Sequence, residues 1–332
     1  MNITAKAIHE KALELGYAAC GIIKAGDMRG YEDMIDKRGE RFPETEQFLR
    51  SRFANYAKPQ EGEPWVRSII VCAARYGKYK VPEELQGRIG KYYLTDGGGN
   101  NNTNARFEEY LAGNGIKFTA DATADRYAAA KAGIGIIRKN NFLYTEHGSW
   151  VRLKTWLIDQ DLEHICEPAL PPCPDGCTKC VDACATGSLA EPYQMNAFSC
   201  TTTMTYGIFP PAELRMQMKG WLYGCDDCQD CCPMNEGCWT DGEELPGLDD
   251  LRGYITLEQL CSLDGETLKA KLPPKFYFIA PDKIWRWKAN ALRAMAYEYE
   301  PKYLQYIQQA AADESENEFV REIAKWALEQ IS

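Results

Sequence analysis

The sequence predicts an α/β unit, then a loop-dominated cysteine-rich segment, then a short α-helical cap, with boundaries at 1–165, 166–250 and 251–332. Three observations carry this. Short apolar runs of strand type alternate with helical spacings through the first half, most of the cysteines crowd between Cys173 and Cys232, and apolar residues recur every three or four positions beyond Thr256. Thr4 to Gly16 has Ala7, Ile8, Ala12 and Leu15 at helical spacing, and Tyr17 to Lys24 follows as a buried strand. Ser68 to Ala74 is a second strand, preceded by the Pro- and Glu-rich turn at 59–64. A polar loop is expected from Thr95 to Asn104, a helix from Arg106 to Leu111, a strand near Ile116 to Ala120, an Ala-rich helix from Arg126 to Ala132, and a strand pair between Asn140 and Ile158. After the cysteines an acidic linker, 241–250, leads to helices over Ile284–Tyr297, Pro301–Ala312 and Glu318–Ile331.

The chain has 332 residues, 45% of them hydrophobic, enough for a sizeable core. No stretch reaches the roughly 18 consecutive apolar residues of a membrane span, and the start is amphipathic, unlike a basic-then-apolar leader, which predicts a cytoplasmic protein. In that compartment fourteen cysteines point to metal ligation and away from disulfides. A formal charge of −10 disfavours broad affinity for nucleic acid, because neutralising phosphates takes clustered Lys and Arg. Only His9, His147 and His164 are present, which leaves little room for a His-rich zinc site or a His-ligated haem.

The cysteines carry the most specific chemistry. Cys173-x3-Cys177-x2-Cys180-x3-Cys184 and Cys225-x2-Cys228-x3-Cys232-Pro233 are two ferredoxin-like groups, with Cys200 alone between them. Short turns of this kind bring several thiolates onto one iron-sulfur cube, and the last Cys of such a run usually ligates the other cluster. Cys173, Cys177, Cys180 and Cys232 are therefore assigned to one 4Fe-4S cluster, and Cys184, Cys200, Cys225 and Cys228 to a second. Zinc is the alternative, but zinc sites usually pair two CxxC knuckles and need no x2, x3 run before Pro. Two irregularities stand out: the first gap is three residues long, and Ala185 takes the place where Pro usually follows the fourth Cys. Cys231 competes with Cys232 as a ligand, and register to Pro233 favours Cys232. Cys20, Cys72, Cys166, Cys238 and Cys261 are read as ordinary thiols.

With Tyr193 to Thr205 and Cys225 to Asn235, the segment resembles the double-cluster region of the epoxyqueuosine reductases, a family related in core to the reductive dehalogenases. The resemblance continues in Ala132-Gly-Ile-Gly-Ile-Ile-Arg-Lys-Asn140, in Gly148-Ser-Trp150, and in Lys288–Ala294 with Phe319–Leu328, which are similar to the family's HEAT-type repeat. It implies a flavin-independent reductase with cobalamin in the α/β domain, electrons arriving one at a time from two 4Fe-4S clusters and supplied by a flavodoxin or ferredoxin. The matching residues Lys139, Asn140, Ser149 and Trp150 are the cobalamin contacts it implies; taken alone, Gly133-x-Gly135 reads as a tight corner without a ligand. No Asp-x-His-x-x-Gly motif is present, so no such histidine reaches the lower face of the cobalt.

Two departures bear on the chemistry. The family's proton donor opens an Asp-Thr/Ser-Gly/Ala-Pro segment, whereas Asp121-Ala-Thr-Ala-Asp125 lacks the Pro and is two residues shorter. Asp121 is the catalytic candidate, an acid kept protonated in a poorly solvated pocket; Asp125 is its rival, and a solvated helix-terminal carboxylate is the plain alternative for either. The family's Asp-Tyr-His signature is replaced by Asp96-Gly-Gly-Gly-Asn100, where substrate would approach. The leading expectation is therefore a cobalamin-dependent iron-sulfur reductase with a diverged substrate, a small molecule or a modified base. The tRNA reaction itself is the alternative, for which Thr267–Arg293 supplies seven basic residues interleaved with Trp285 and Trp287. Against it, Glu298–Ser332 carries three basic residues and eight acidic ones. A third possibility is a ferredoxin-like electron carrier without catalysis.

Overall fold

The fold was analysed in a computed structural model that describes residues 3–95, 100–167, 170–245 and 247–332. Helix α1 (Ala5–Glu14) opens the chain, with the Thr4 hydroxyl accepting from the Ala7 amide as its N-cap. It leads into β1 (Ala19–Lys24), and α2 (Tyr31–Arg41) and α3 (Glu46–Phe53) fill the stretch before β2 (Ser68–Arg75). Helix α4 (Asn100–Gly113), β3 (Phe118–Ala120), α5 (Asp125–Lys131) and β4 (Val151–Ile158) complete the first unit. The sheet order is β1-β2-β4-β3, and every pairing is antiparallel. The α/β expectation holds as a mixed helix and sheet fold whose central sheet has no parallel pair among the described residues.

Strand β2 explains why the second apolar run lacks alternation. It lies between β1 and β4 with helices over both faces, so Ile69, Ile70 and Val71 are all fully buried, each contributing roughly 1.5–3 kcal/mol. One face packs Ile22, Ile70, Cys72 and Trp156 on α1 and α4; the other packs Ile69, Val71 and Leu157 on α5. Cys20 and Cys72 are buried opposite each other in the β1–β2 pair.

Two local expectations are corrected. The polar stretch 95–104 is not all loop: α4 begins at Asn100, and Asn104 accepts a hydrogen bond from the Tyr17 hydroxyl. The substrate-side change at 96–99 lies outside the described residues. The strand pair between Asn140 and Ile158 is not one hairpin: Leu143–Tyr144 pairs back with Ile136–Ile137, while β4 joins the main sheet. Gly133 does form the expected corner. It follows the last turn of α5 with φ +69°, and a Cβ there would fall 1.8 Å from the Cys166 carbonyl oxygen.

Beyond the sheet, α6 (Thr201–Tyr206) follows Cys200 directly, and α7 (Trp285–Tyr297), α8 (Leu304–Ala312) and α9 (Glu318–Ile331) form the cap. The cap's core also takes in Leu85, Ile89 and Leu94 from the first unit and Leu222 and Tyr223 from the cysteine-rich segment.

Two of the seven basic residues of the Thr267–Arg293 stretch, Arg286 and Arg293, are internal, while Lys269, Lys271 and Lys283 are exposed. Arg286, Asn290 and Arg293 recur at i, i+4 and i+7 on α7 and are all buried. Arg286 donates to the carbonyls of Gly207 (2.8 Å) and Ile208 (3.2 Å). Asn290 donates to those of Thr205 (2.8 Å) and Leu222 (2.9 Å). Arg293 donates to the carbonyls of Arg215 (3.3 Å), Lys219 and Trp221. One helix face thus satisfies carbonyls in the last turn of α6 and in the loop that follows it. Arg293→Ala would strip three buried carbonyls of their donor and open a cavity, so we expect a loss of roughly 3 kcal/mol or more in denaturant unfolding of the cluster-loaded protein. A loss below about 1 kcal/mol would remove this role.

Candidate functional site

Fourteen cysteines are free thiols, and the loops gather eight of them into two groups. Cys173, Cys177, Cys180 and Cys232 line one pocket, together with Arg138, Lys139, Asn140 and Met234. Cys231 does not line the cavity; its thiol donates to the Lys179 carbonyl at 3.4 Å, and burial, then Cys180 and Cys232, push it up to about 11. The second group is seen through its electrostatics. Burial, then Cys200 and Cys184, push the Cys228 thiol well up, and burial, Asp227 and then Cys200 and Cys228 do the same for Cys225.

At Cys180, Cys225 and Cys228 burial and neighbouring thiols oppose ionisation, so thiolates there require positive charge among them. Bound iron supplies that charge, and a coordinated thiol is deprotonated outright. Local amides are in place as well: the Leu189 amide donates to Cys184 Sγ at 3.3 Å, and those of Thr202 and Thr203 favour the thiolate of Cys200. The donor sets fit two four-thiolate clusters.

The four residues expected to touch cobalamin have other partners. Lys139 donates to the Cys177 carbonyl at 2.8 Å, and Asn140 donates to the Cys228 carbonyl at 2.9 Å and to the Tyr144 hydroxyl at 2.8 Å. Ser149 donates from its hydroxyl to Gln229 (2.9 Å) and from its amide to Asn235 (2.8 Å). Trp150 packs edge-on to Tyr76 and Trp239 beneath the Lys91 ammonium, 4.6 Å from the ring centre. These side chains brace the cysteine loops against the first unit. Asn235 completes the brace by donating to Ser149 Oγ (2.8 Å) and to the Gln229 carbonyl (2.9 Å), and Asp226, which burial and Asp230 push up to about 7, accepts from the Lys91 amide at 2.7 Å. Neither was singled out in the sequence, although Asn235 stands two residues after the Pro that fixes the register of the run.

The setting expected for Asp121 is found at Asp125. Asp121 lies at φ 55° with an exposed carboxylate paired with Lys154, a well-solvated ion pair. Asp125 opens α5, half-buried, and accepts from the Thr155 hydroxyl at 2.9 Å; burial pushes its carboxyl up to about 6, with the nearby Asp121 charge adding to the rise. Next to it Arg126 is exposed, donates to the Asn141 carbonyl at 3.0 Å and lies over the Phe142 ring, 4.2 Å from its centre. Arg38 donates to Asn141 Oδ1 at 3.2 Å. Burial pushes the Arg38 guanidinium down, with Arg126 adding to the fall, and burial pushes the Tyr31 phenol up.

This cleft of Tyr31, Arg38, Asp125, Arg126 and Asn141 leaves two buried donors, Asn141 Nδ2 and Arg38 Nε, without a partner. Buried polar atoms are rarely left so. Acceptors on a bound amide-bearing group such as cobalamin would satisfy both.

Residues 173–235 match the 4Fe-4S double cluster binding domain family. The epoxyqueuosine reductase of Prochlorococcus marinus is 30% identical over 317 residues, covering 86% of this chain and 95% of that protein. That of Gloeobacter violaceus is 31% identical over 302 residues, covering 79% and 87%. The fold agrees: the solved epoxyqueuosine reductase of Streptococcus thermophilus superposes with a TM-score of 0.80 at 24% identity, covering all of this chain and 90% of that one. A second solved epoxyqueuosine reductase, bound to an epoxyqueuosine-modified tRNA stem loop, gives 0.74 at 24% identity over 98% and 89%. The relatives are oxidoreductases of a family that uses cobalamin beside its double 4Fe-4S region. By the extent and identity of these matches, the chain belongs to the epoxyqueuosine reductase family.

Proposed function

We propose that the chain is a cobalamin- and cluster-dependent reductase of an organic substrate, with Cys173, Cys177, Cys180 and Cys232 holding one 4Fe-4S cluster and Cys184, Cys200, Cys225 and Cys228 the other. Bound in the cleft, cobalamin supplies substrate carbon with electrons that reach it singly from the clusters, themselves reduced by a flavodoxin or ferredoxin. The chain's own residues do the remainder. Lys139, Asn140 and Ser149 hold the cysteine loops in place, Arg38 and Asn141 offer donors to the bound group, and Asp125 carries the proton that the reduced carbon takes up.

The observation that carries the acid assignment is the raised proton affinity of Asp125, set by burial beside Thr155. A general acid works only while protonated, so turnover should hold below about pH 6 and fall as pH rises through that value. Linkage gives the same group a second signature. Its folded-state affinity is above its unfolded one, so its contribution to stability is present below the unfolded value of 3.8 and lost by the time pH passes about 6. Asp125→Asn should therefore abolish turnover with both clusters retained, and should be more stable than the parent at pH 7 but not at pH 4. Unchanged turnover in Asp125→Asn, or loss in Asp121→Asn alone, returns the role to Asp121.

Iron counting tests the ligands. Cys180→Ser and Cys232→Ser should each drop anaerobically prepared protein from about eight irons per chain towards four, while Cys231→Ser keeps the full count. The reverse order at 231 and 232 would reassign the ligand.

For the substrate, a diverged molecule is weighed above a polyanion because Arg286 and Arg293 are buried on loop carbonyls and Lys288 pairs with Glu316, which leaves Lys269, Lys271 and Lys283 as the exposed cations of the basic stretch. The second reading, reduction of an epoxyqueuosine base in tRNA, rests on the named relatives and on Tyr277 and Phe278, two exposed rings stacked 4.7 Å apart that offer a face to a base. A gel shift with the modified tRNA stem loop across a salt series decides between them. Absence of salt-dependent binding at micromolar protein supports the diverged substrate, and tight binding lost in Tyr277→Ala supports tRNA.

A further inference from the structure

Away from the clusters and the cleft, two of the chain's three histidines meet a cysteine beside the outer edge of the sheet. His9 on α1, His164 and Cys166 bring one ligand atom each to within 4.8 Å of one another, and all three are half-buried. The His9 and His164 rings lie 4.2 Å apart between centres.

Each ligand is fixed by backbone that has its own reason to be there. His164 forms a bridge to Ile22, accepting from the Ile22 amide and donating to the Ile22 carbonyl, both at 2.9 Å, so it extends the sheet past β1. Cys166 donates its amide to the Ala132 carbonyl at 2.9 Å. In extended chain, residues two apart share a side, which puts His164 and Cys166 together and turns Ile165 outward, where it is 47% exposed. His9 Nδ1 lies 2.8 Å from the Cys20 carbonyl oxygen. A carbonyl only accepts, so the proton sits on Nδ1 and Nε2 carries the lone pair. A metal-bound imidazole is usually oriented by a second-shell partner in this way.

We propose that His9, His164 and Cys166 form a zinc site that clips helix α1 to the edge of the sheet and to the strand leading into the cysteine-rich segment. Two imidazoles and a thiolate are a borderline-soft donor set that suits zinc, with water or solvent in the fourth position. Tetrahedral zinc places N and S ligands roughly 3.3–3.6 Å apart, so closure needs the donors to approach by up to about 1.5 Å. The Cys166 thiol, which now donates to the Cys20 carbonyl at 3.4 Å, loses its proton to solvent as the metal binds, and the His9 bond to that carbonyl stays. The clip is structural and lies apart from the proposed reduction.

The test uses cluster-loaded protein of known iron content, incubated with Zn²⁺ alone and passed over a chelating column. One zinc per chain should be retained with iron unchanged, and zinc-edge X-ray absorption should show one sulfur and two imidazole neighbours. His164→Gln, Cys166→Ser and His9→Gln should each weaken zinc binding at least about ten-fold at unchanged iron. His147→Gln should bind as the parent does. Zinc should raise the melting temperature of the parent and leave that of the three variants unmoved. The iron count of His9→Gln reports that the fold is intact. No retained zinc, retention in Cys166→Ser equal to the parent's, or an absorption spectrum with two or more sulfurs would each overturn the site.

Discussion

The constraint on which the molecule depends is the gathering of thiols in the cysteine-rich loops. Burial and neighbouring charge oppose ionisation at Cys180, Cys200, Cys225 and Cys228, so bound metal and pinned loops are needed together. The pins come from both sides. Lys139, Asn140 and Ser149 reach in from the first unit, and Arg286, Asn290 and Arg293 from the cap. Almost all of these bonds end on backbone carbonyls, so they fix chain path with little dependence on the side chains of the loops.

That arrangement explains the cap better than affinity for phosphate does. A guanidinium carries five donors in a rigid fork, which suits it to gather several carbonyls that no helix or sheet satisfies. Arg293 does so at complete burial, and the charge it keeps is compensated by carbonyl dipoles. A lysine at the same place would bring three donors and a smaller head, and would leave part of the loop unpaired.

Much of this was legible before any coordinates. Thr4, the apolar spacing of α1, and the Pro- and Asn-marked starts of the cap helices are local signals, and the structure places those helices within a few residues of expectation. The two thiol groups were legible for a similar reason, since short spacings leave few ways for the sulfurs to converge. What escaped depends on contacts distant in sequence. The Asn-rich start of α4 has poor helix propensity, and the helix is held by Phe107 and Leu111 against Trp156. Arg286 and Arg293 looked like part of a phosphate-binding stretch because the sequence does not show which carbonyls need a donor. Lys139 and Asn140, placed at cobalamin by the resemblance, also donate to carbonyls of the cysteine loops, since a family motif marks position and not every partner of the side chain.

Asp121 and Asn141 show where local preference was set aside. They are the non-glycine residues with left-handed backbone among the described part of the first 165 positions, at φ 55° and 64°. One lies just before α5 and the other ten residues beyond its end, and both lie beside Asp125, Arg126 and the two unpartnered donors. Left-handed backbone costs such residues about 1–3 kcal/mol and persists only when the surroundings over-determine it. Here the surroundings are the sheet, through the Asp121 amide on the Thr155 carbonyl at 3.0 Å, and the corner, through the Asn141 amide on the Arg138 carbonyl at 2.8 Å. Thr155 therefore does two jobs: its carbonyl sets the turn that leaves Asp121 in solvent beside Lys154, and its hydroxyl holds Asp125 out of it. Two carboxyls four residues apart thereby meet different surroundings, Asp121 exposed and paired with Lys154, Asp125 half-buried with its carboxyl pushed up to about 6. Such a separation of environments is what acid chemistry on a single helix end requires.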